Sequence, residues 1–241
     1  MDERLKLSRN NLPLALMTLS GGFDSAIAAL VSIRAGFFPK FLFFDNNPFD
    51  RFQTKQKVIK IANKLIQLTN LKNIPNEQVL EFIFVPHGLD LREILQKTPR
   101  NLTCLLCRRQ MFRAANQLAI TEGIPLLVTG EILGEQASQT LKNLLVVEEP
   151  LTDVFLLRPL LGFNKEEIVT LSRQFSLYEL CTEPGGCCSA NPKRPRTNAS
   201  FRELHEAERL FEFTTIVSQD IANVTRIKLP LSDFENENYV S

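Results

Sequence analysis

An apolar run, Leu14–Leu19, passes directly into Ser20-Gly21-Gly22-Phe23-Asp24-Ser25 and then into a helix-like stretch, Ala26–Ala35, that closes on Gly36. A strand, a glycine turn and a helix in that order make a trap for phosphate. Gly21 and Gly22 let the backbone approach an anion without interference from a Cβ. The N–H groups of the turn and of the first helical turn then point at the anion, with the helix dipole behind them. Ser20 and Ser25 can add hydroxyl donors, and Asp24 offers a carboxylate for a magnesium ion carried on the phosphates. The spacing matches neither the Walker loop nor the dinucleotide pattern Gly-x-Gly-x-x-Gly. The plainer alternative is an ordinary Gly-Gly turn with Asp24 as a capping residue; the strand–loop–helix setting favours the phosphate reading.

The rest of the chain continues the alternation. Short apolar runs at Leu14–Leu19, Phe41–Phe44, Leu80–Val85, Leu126–Thr129 and Val154–Leu157 read as strands buried on both faces. Between them lie helical stretches at Ala26–Ala35, Thr54–Leu68, Leu105–Glu122 and Lys165–Phe175. This order predicts an α/β fold, a doubly wound parallel sheet with helices on both faces, and ligands outside the carboxyl ends of the strands. The expected division is a core over 1–175 and a C-terminal extension over 176–241, where the texture changes to Cys, Gly and Pro. Ser200–Glu203 reads as a capping box opening a helix to about Phe211, and Asp220–Pro230 is ambiguous.

With 44% apolar and 23% charged residues, the 241-residue chain has the composition of a soluble globular protein. No run approaches the length of a membrane span, and residues 1–6 lack the apolar centre of a signal peptide, so the expected location is the cytoplasm. The net charge of +1 is unevenly spread. Arg92, Lys97, Arg100, Arg108, Arg109 and Arg113 face a single acid, Glu93, and Lys193, Arg194 and Arg196 form a second basic run. Both stretches lie beside cysteines, which favours contact with phosphate or RNA over plain surface charge. Five cysteines, Cys104, Cys107, Cys181, Cys187 and Cys188, are an odd number and point to metal ligation or sulfur chemistry rather than disulfides.

The Ser20–Ser25 loop resembles the pyrophosphate loop of the PP-loop ATP pyrophosphatases, enzymes that split ATP between the α and β phosphates. Further segments extend the likeness: Phe44–Thr54, Arg108–Met111, Val128–Leu141 and Leu157–Ile168, followed by Cys187-Cys188. In this order, over residues 12–198, they resemble the catalytic domain of the 4-thiouridine synthetases, the tRNA sulfurtransferases. The resemblance implies an adenine nucleotide alpha hydrolase-like fold and an ATP-dependent transfer of sulfur to a tRNA uridine. It implies that Ser20, Gly21, Gly22, Asp24 and Ser25 hold the pyrophosphate with magnesium, and that Gly130, Glu131 and Gln139 line the nucleotide site. Lys165 would neutralise charge during adenylation, and Cys188 would be the catalytic cysteine, with Cys187 as the alternative. In some members Cys104, Cys107 and Cys188 would hold an iron–sulfur cluster, with one iron open for an exogenous sulfide.

The residue types suit that chemistry. A uracil carbonyl is a poor electrophile until AMP on its oxygen makes a leaving group, and the phosphate charge needs loop amides, a metal and a lysine. A sulfur nucleophile must follow, from a cysteine or from cluster-bound sulfide. Cys104 and Cys107 at a helix start, beside Arg108 and Arg109, suit thiolate formation; a zinc site is the alternative use. Cys181 is expected as a buried small hydrophobe. His87 and His205 are read as incidental and exposed, respectively. Relative to the family, Ala26 stands in place of a proline and Glu135-Gln136 in place of Gln-Val. The family's N-terminal tRNA-binding domains and the rhodanese domain of some members have no counterpart in these residues. A separate RNA-binding partner and a sulfur donor are therefore expected, no membrane is, and a homodimer stays open. Two other uses remain open: adenylation of a different, small-molecule substrate with a structural metal, and a metal-holding accessory protein.

Overall fold

The structure is a computed structural model that describes residues 12–50, 54–69, 71, 79–184 and 188–230. Its elements follow the alternating pattern. Strand β1 (Leu14–Thr18) leads to α1 (Phe23–Arg34), β2 (Phe38–Asp45) to α2 (Thr54–Thr69), and β3 (Val79–Pro86) to α3 (Gly88–Lys97) and α4 (Thr103–Glu122). Then come β4 (Leu126–Val128), α5 (Leu141–Glu148), β5 (Phe155–Leu157), α6 (Lys165–Gln174) and the short α7 (Tyr178–Thr182). The chain closes with α8 (Phe201–Glu208), α9 (Phe213–Ala222) and β6 (Thr225–Pro230). No helix among the described residues is long and apolar enough to cross a membrane.

The strands form one sheet in the order β5-β4-β1-β2-β3-β6. The first five are parallel, and β6 runs antiparallel to β3. Successive side chains of a strand point to opposite faces, so each apolar run supplies two cores at once. Ala15, Met17, Phe41, Phe43, Phe82 and Phe84 pack with α1, α2 and α6 on one face. Leu16, Leu42, Phe44, Ile83 and Val85 pack with α3, α4, α8 and α9 on the other. Continuous hydrophobicity in these strands is the signature of burial on both sides.

The direction of strand addition reverses between β1 and β4. Connections in such a sheet diverge there and leave a crevice at the carboxyl ends of the strands. The Ser20–Ser25 loop follows β1 and the Gly130 segment follows β4, so both open into it.

The sixth strand departs from the all-parallel expectation. Thr225–Pro230 alternates, with Ile227 packed on the core and Arg226 and Lys228 turned to Glu81 of β3. Lys40 and Arg226 also reach Glu122. Burial by itself would raise the Glu81 carboxyl, but hydrogen bonds from Arg226 and Lys40 outweigh it and hold it below its ordinary value. The residues after 176 thus supply an edge strand and two helices against the α4 face.

Candidate active site

Gly21 has φ +81°, a left-handed conformation that disfavours other residues. Gly22 caps α1 without any side-chain hydrogen bond, so the first amides of the helix are not occupied by a cap and face the crevice. The Ser25 hydroxyl closes the loop from within: it accepts from the Ser20 amide at 3.0 Å and donates to the Gly22 carbonyl at 3.1 Å. The Ser25 and Ser20 hydroxyls also meet at 3.2 Å, so Ser25 shapes the loop it was expected to serve. Asp24 sits in the first turn, and Lys165, 141 residues away, donates to both its carboxylate oxygens at 2.7 and 3.0 Å. Lys165 is placed there by the Asn164–Glu167 capping box at the start of α6 and stands 5.9 Å above the Phe23 ring.

The β4 exit leans directly on this loop. A Cβ on Gly130 would stand 2.5 Å from the Asp24 carbonyl carbon and the Ser25 amide nitrogen. Only glycine permits that approach. Glu131 is buried, and its carboxylate is held by Arg108, Arg158 and the Thr129 hydroxyl. It braces the crevice floor instead of presenting a free acceptor to a nucleotide. Gln139 is buried with its Oε1 unpartnered, and Ser138 accepts from Arg108 at 3.3 Å.

Across the crevice, Cys104 and Cys107 lie one turn apart on α4. Cys188 follows α7 in a loop fastened where the Ser189 amide donates to the Phe49 carbonyl at 2.9 Å. The fully buried Asn143 clamps the next stretch, donating to the Arg196 carbonyl and accepting from the Ala199 amide. As free thiols Cys104 and Cys188 hold their protons. Burial, with Cys107 and Cys188 as neighbours, pushes Cys104 up to about 11, and burial also raises Cys188. Arg108 opposes the rise at Cys104 only in part, which corrects the expectation of a ready thiolate at Cys104. A bound metal deprotonates such thiols on binding. Among the described residues the one group of three or more His, Cys, Asp or Glu ligand atoms within 4.8 Å of one another is His87, Asp90 and Asp220. At least one pair among the three sulfurs therefore stands farther apart than that. One tetrahedral zinc, with sulfurs at about 2.3 Å, would draw them to roughly 4 Å of each other. A cluster whose irons each take their own thiolate tolerates the wider spread.

His87, expected to be incidental, is instead central to this pocket. It is fully buried, with Nε2 3.2 Å from the Cys107 sulfur and Nδ1 facing Asp90 at 3.4 Å and Asp220 at 3.9 Å. Burial alone would lower its pKa, but Cys107 and the Asp220 and Asp90 carboxyls push it well above its ordinary value. Burial raises Asp220 to about 7, whereas His87 outweighs the burial of Asp90 and holds it at about 2. Gly88 makes this packing possible, because a Cβ there would stand 1.8 Å from the Asn47 carbonyl oxygen. The Pro86-His87-Gly88 triplet at a strand end is the visible signal in the sequence.

With this geometry in place, likeness to known proteins becomes informative. Residues 13–213 match the profile of the family described as thiamine biosynthesis protein (ThiI). The chain belongs to the ThiI family. A probable tRNA sulfurtransferase of Mycoplasma genitalium is 34% identical over 86% of this chain and 52% of its own length. One from Methanosarcina acetivorans is 29% identical over 89% of the chain and 50% of its own. The crystal structure of a 4-thiouridine synthetase–RNA complex with bound ATP superposes with a TM-score of 0.82 at 27% identity, covering 90% of this chain and 55% of that one. This ThiI-family chain thus spans about half the length of the curated relatives it matches.

Two basic residues change role in the ThiI-family fold. Arg109 is one of the largest fully buried side chains; it binds Glu208 at 2.6 Å, Glu149 at 2.7 Å and the Val146 carbonyl. Arg108 is engaged by Glu131 and Ser138, and burial with the nearby Arg158 pushes its guanidinium down to about 10. Neither is placed to grip an RNA phosphate, because a long helix at the domain centre turns its basic residues inward to internal acids. Lys193, Arg194 and Arg196 are exposed, although Arg196 pairs with Glu203 at 2.7 Å. Cys181 is buried, and burial raises it to about 11. His205 is exposed, as expected, and pairs with Glu149. Cys187 lies outside the described residues.

Proposed function

We propose that this chain is the adenylating and sulfur-inserting unit of an ATP-dependent tRNA sulfurtransferase. The observation that carries the reading is the Asp24–Lys165 pair at the mouth of the uncapped glycine loop, on the same sheet edge as Cys104, Cys107 and Cys188. The loop amides and the α1 dipole hold the ATP phosphates, and Lys165 can move from Asp24 to phosphate oxygens as negative charge develops. Magnesium on Asp24 would screen the departing pyrophosphate. Ser20 and Gln139 offer polar atoms that orient the nucleotide, while Gly130 sets the depth of the crevice.

In the reaction, a uridine carbonyl oxygen attacks the α-phosphorus and pyrophosphate leaves. A sulfur nucleophile then adds to the activated carbon, and AMP departs with the oxygen. Cys104, Cys107 and Cys188 fit an iron–sulfur cluster with one iron left for an exogenous sulfide, which would supply that sulfur. Residues 1–175 carry the adenylation site, and the 176–241 extension brings Cys188. Lys193 and Arg194 offer the RNA phosphate contact, weak without a separate RNA-binding unit. A sulfur donor and a cytoplasmic setting complete the reading.

Anaerobic purification with iron, sulfide and zinc quantified, followed by mass analysis of tRNA nucleosides after incubation with ATP and sulfide, tests it. Thiolated uridine with stoichiometric pyrophosphate is expected, together with loss of iron and thiolation but not of ATP binding in Cys104→Ser and Cys107→Ser. Turnover of ATP with a small molecule, by a protein holding only zinc, would overturn it.

A further inference from the structure

Resting on the reading that Cys107 is a metal-bound thiolate, we infer that His87 is a positioning residue: it donates its Nε2–H to the Cys107 sulfur, with Asp90 and Asp220 holding the ring, and so sets Cys107 apart from Cys104 and Cys188. A metal-bound Cys107 carries no S–H. At 3.2 Å the hydrogen bond can then run only from nitrogen to sulfur. The opposite edge of the ring fixes the same orientation. Nδ1, Asp90 Oδ2 and Asp220 Oδ2 are buried atoms without hydrogen-bond partners, and they face one another across 3.4 and 3.9 Å. A proton on Nδ1 would face both carboxyls as ion-pair contacts rather than hydrogen bonds.

Asp90 is itself held. Its Oδ1 accepts from Gln110 at 2.9 Å, and Gln110 accepts from Arg113 at 2.8 Å. Arg113 rests on the Phe213 ring at 4.2 Å, at the start of the helix that carries Asp220. The line of contacts Arg113–Gln110–Asp90–His87–Cys107 thus joins α9 to the sulfur. Among the described residues the other two thiols have no imidazole donor. Cys104 meets the Asn191 side-chain oxygen at 3.6 Å, and Cys188 meets the backbone of Ala190, two residues along its own loop. Hydrogen bonds to ligand sulfur withdraw electron density and tune the potential of a cluster.

The test compares wild type, His87→Leu, His87→Gln and Asp90→Asn, each loaded anaerobically with iron and sulfide, by spectroelectrochemical titration. His87→Leu is expected to move the midpoint to more negative potential by at least about 59 mV, a tenfold change in the ratio of reduced to oxidised cluster for a one-electron couple. His87→Gln keeps an N–H donor and should recover part of the shift, and Asp90→Asn should give a smaller shift of the same sign. Equal potentials in wild type and His87→Leu would overturn the inference. So would a divalent ion held by wild type and released by Asp90→Asn and Asp220→Asn, since the carboxyls would then be ligands. If the chain takes up no iron, the cluster reading fails by itself, and cobalt(II) loading reads the same donor. The thiolate-to-cobalt charge-transfer band should move to lower energy in His87→Leu, and an unshifted band would overturn the hydrogen bond.

Discussion

The glycine loop and the cysteine pocket open on the same edge of one sheet but are built by opposite means. The loop is six consecutive residues between one strand and one helix, and its main working groups are backbone amides. The pocket collects Cys104 and Cys107 from α4, Cys188 from a loop 81 positions or more downstream in the sequence, His87 from the end of β3 and Asp220 from α9. Backbone donors need only local geometry, which a short motif can specify. Side-chain clusters need every contributing element to dock, so the pocket depends on the second core and on β6, whereas the loop depends chiefly on the β1–α1 turn. Damage to distant packing should therefore reach the pocket first.

The strongest challenge to that contrast is Arg109→Ala. Removing one partner of a buried ion pair commonly costs about 3–5 kcal/mol; here Arg113 remains 2.7 Å from Glu208, so the loss should fall at the lower end of that range. Chemical denaturation should show that loss, with metal retention failing before ATP binding does. A variant of wild-type stability that only weakened RNA binding would return Arg109 to the surface role its sequence context suggests.

Next in size is Asp24→Ala, which should lower pyrophosphate release by about 100- to 1,000-fold and leave the pocket's metal content intact. Unchanged release would remove Asp24 from the chemistry. Loss of metal in the same variant would tie the two regions together more closely than their construction implies.

Acid offers a milder probe. Glu81 has its pKa lowered in the fold from 4.5, so its contribution to stability is present above that value and is lost as pH falls through the lowered one. Because Glu81 tethers β6, and with it the approach to α9, Glu81→Gln should flatten the acid limb of the stability profile measured by thermal unfolding. Identical acid limbs would show that the edge strand is held by its backbone ladder alone.

The smallest effect is expected from Lys193→Ala with Arg194→Ala. Removing these exposed charges should reduce the slope of log affinity for tRNA against log salt by about 1–2, roughly one for each phosphate no longer neutralised. ATP turnover without RNA should not change. A salt slope equal to wild type would move the RNA contact elsewhere on the surface.

Much of the fold was legible because its parallel strands are predominantly apolar and alternate with helix-like stretches. The start of α8 was readable from Ser200 and Glu203, whereas the Asn164–Glu167 box that opens α6 emerged only in the fold. Strand β6 was not, since Thr225–Pro230 alternates charged and apolar residues at an edge, and its charges find partners only when Glu81 and Glu122 lie beside it. Arg109 was illegible for the same reason: nothing within α4 reveals that Glu149 and Glu208 converge on it.

By itself the sequence determined the parallel α/β order, the glycine loop with Asp24, and the cysteines available for a metal, because each is a property of neighbouring residues. Tertiary structure alone decided that Lys165 meets Asp24, that Gly130 must be glycine, that Glu131 braces two arginines, and that His87 stands between a sulfur and two carboxyls. Those outcomes turn on distances between segments far apart in the chain. Such distances are set by how two cores pack on a twisted sheet, and no local pattern encodes them.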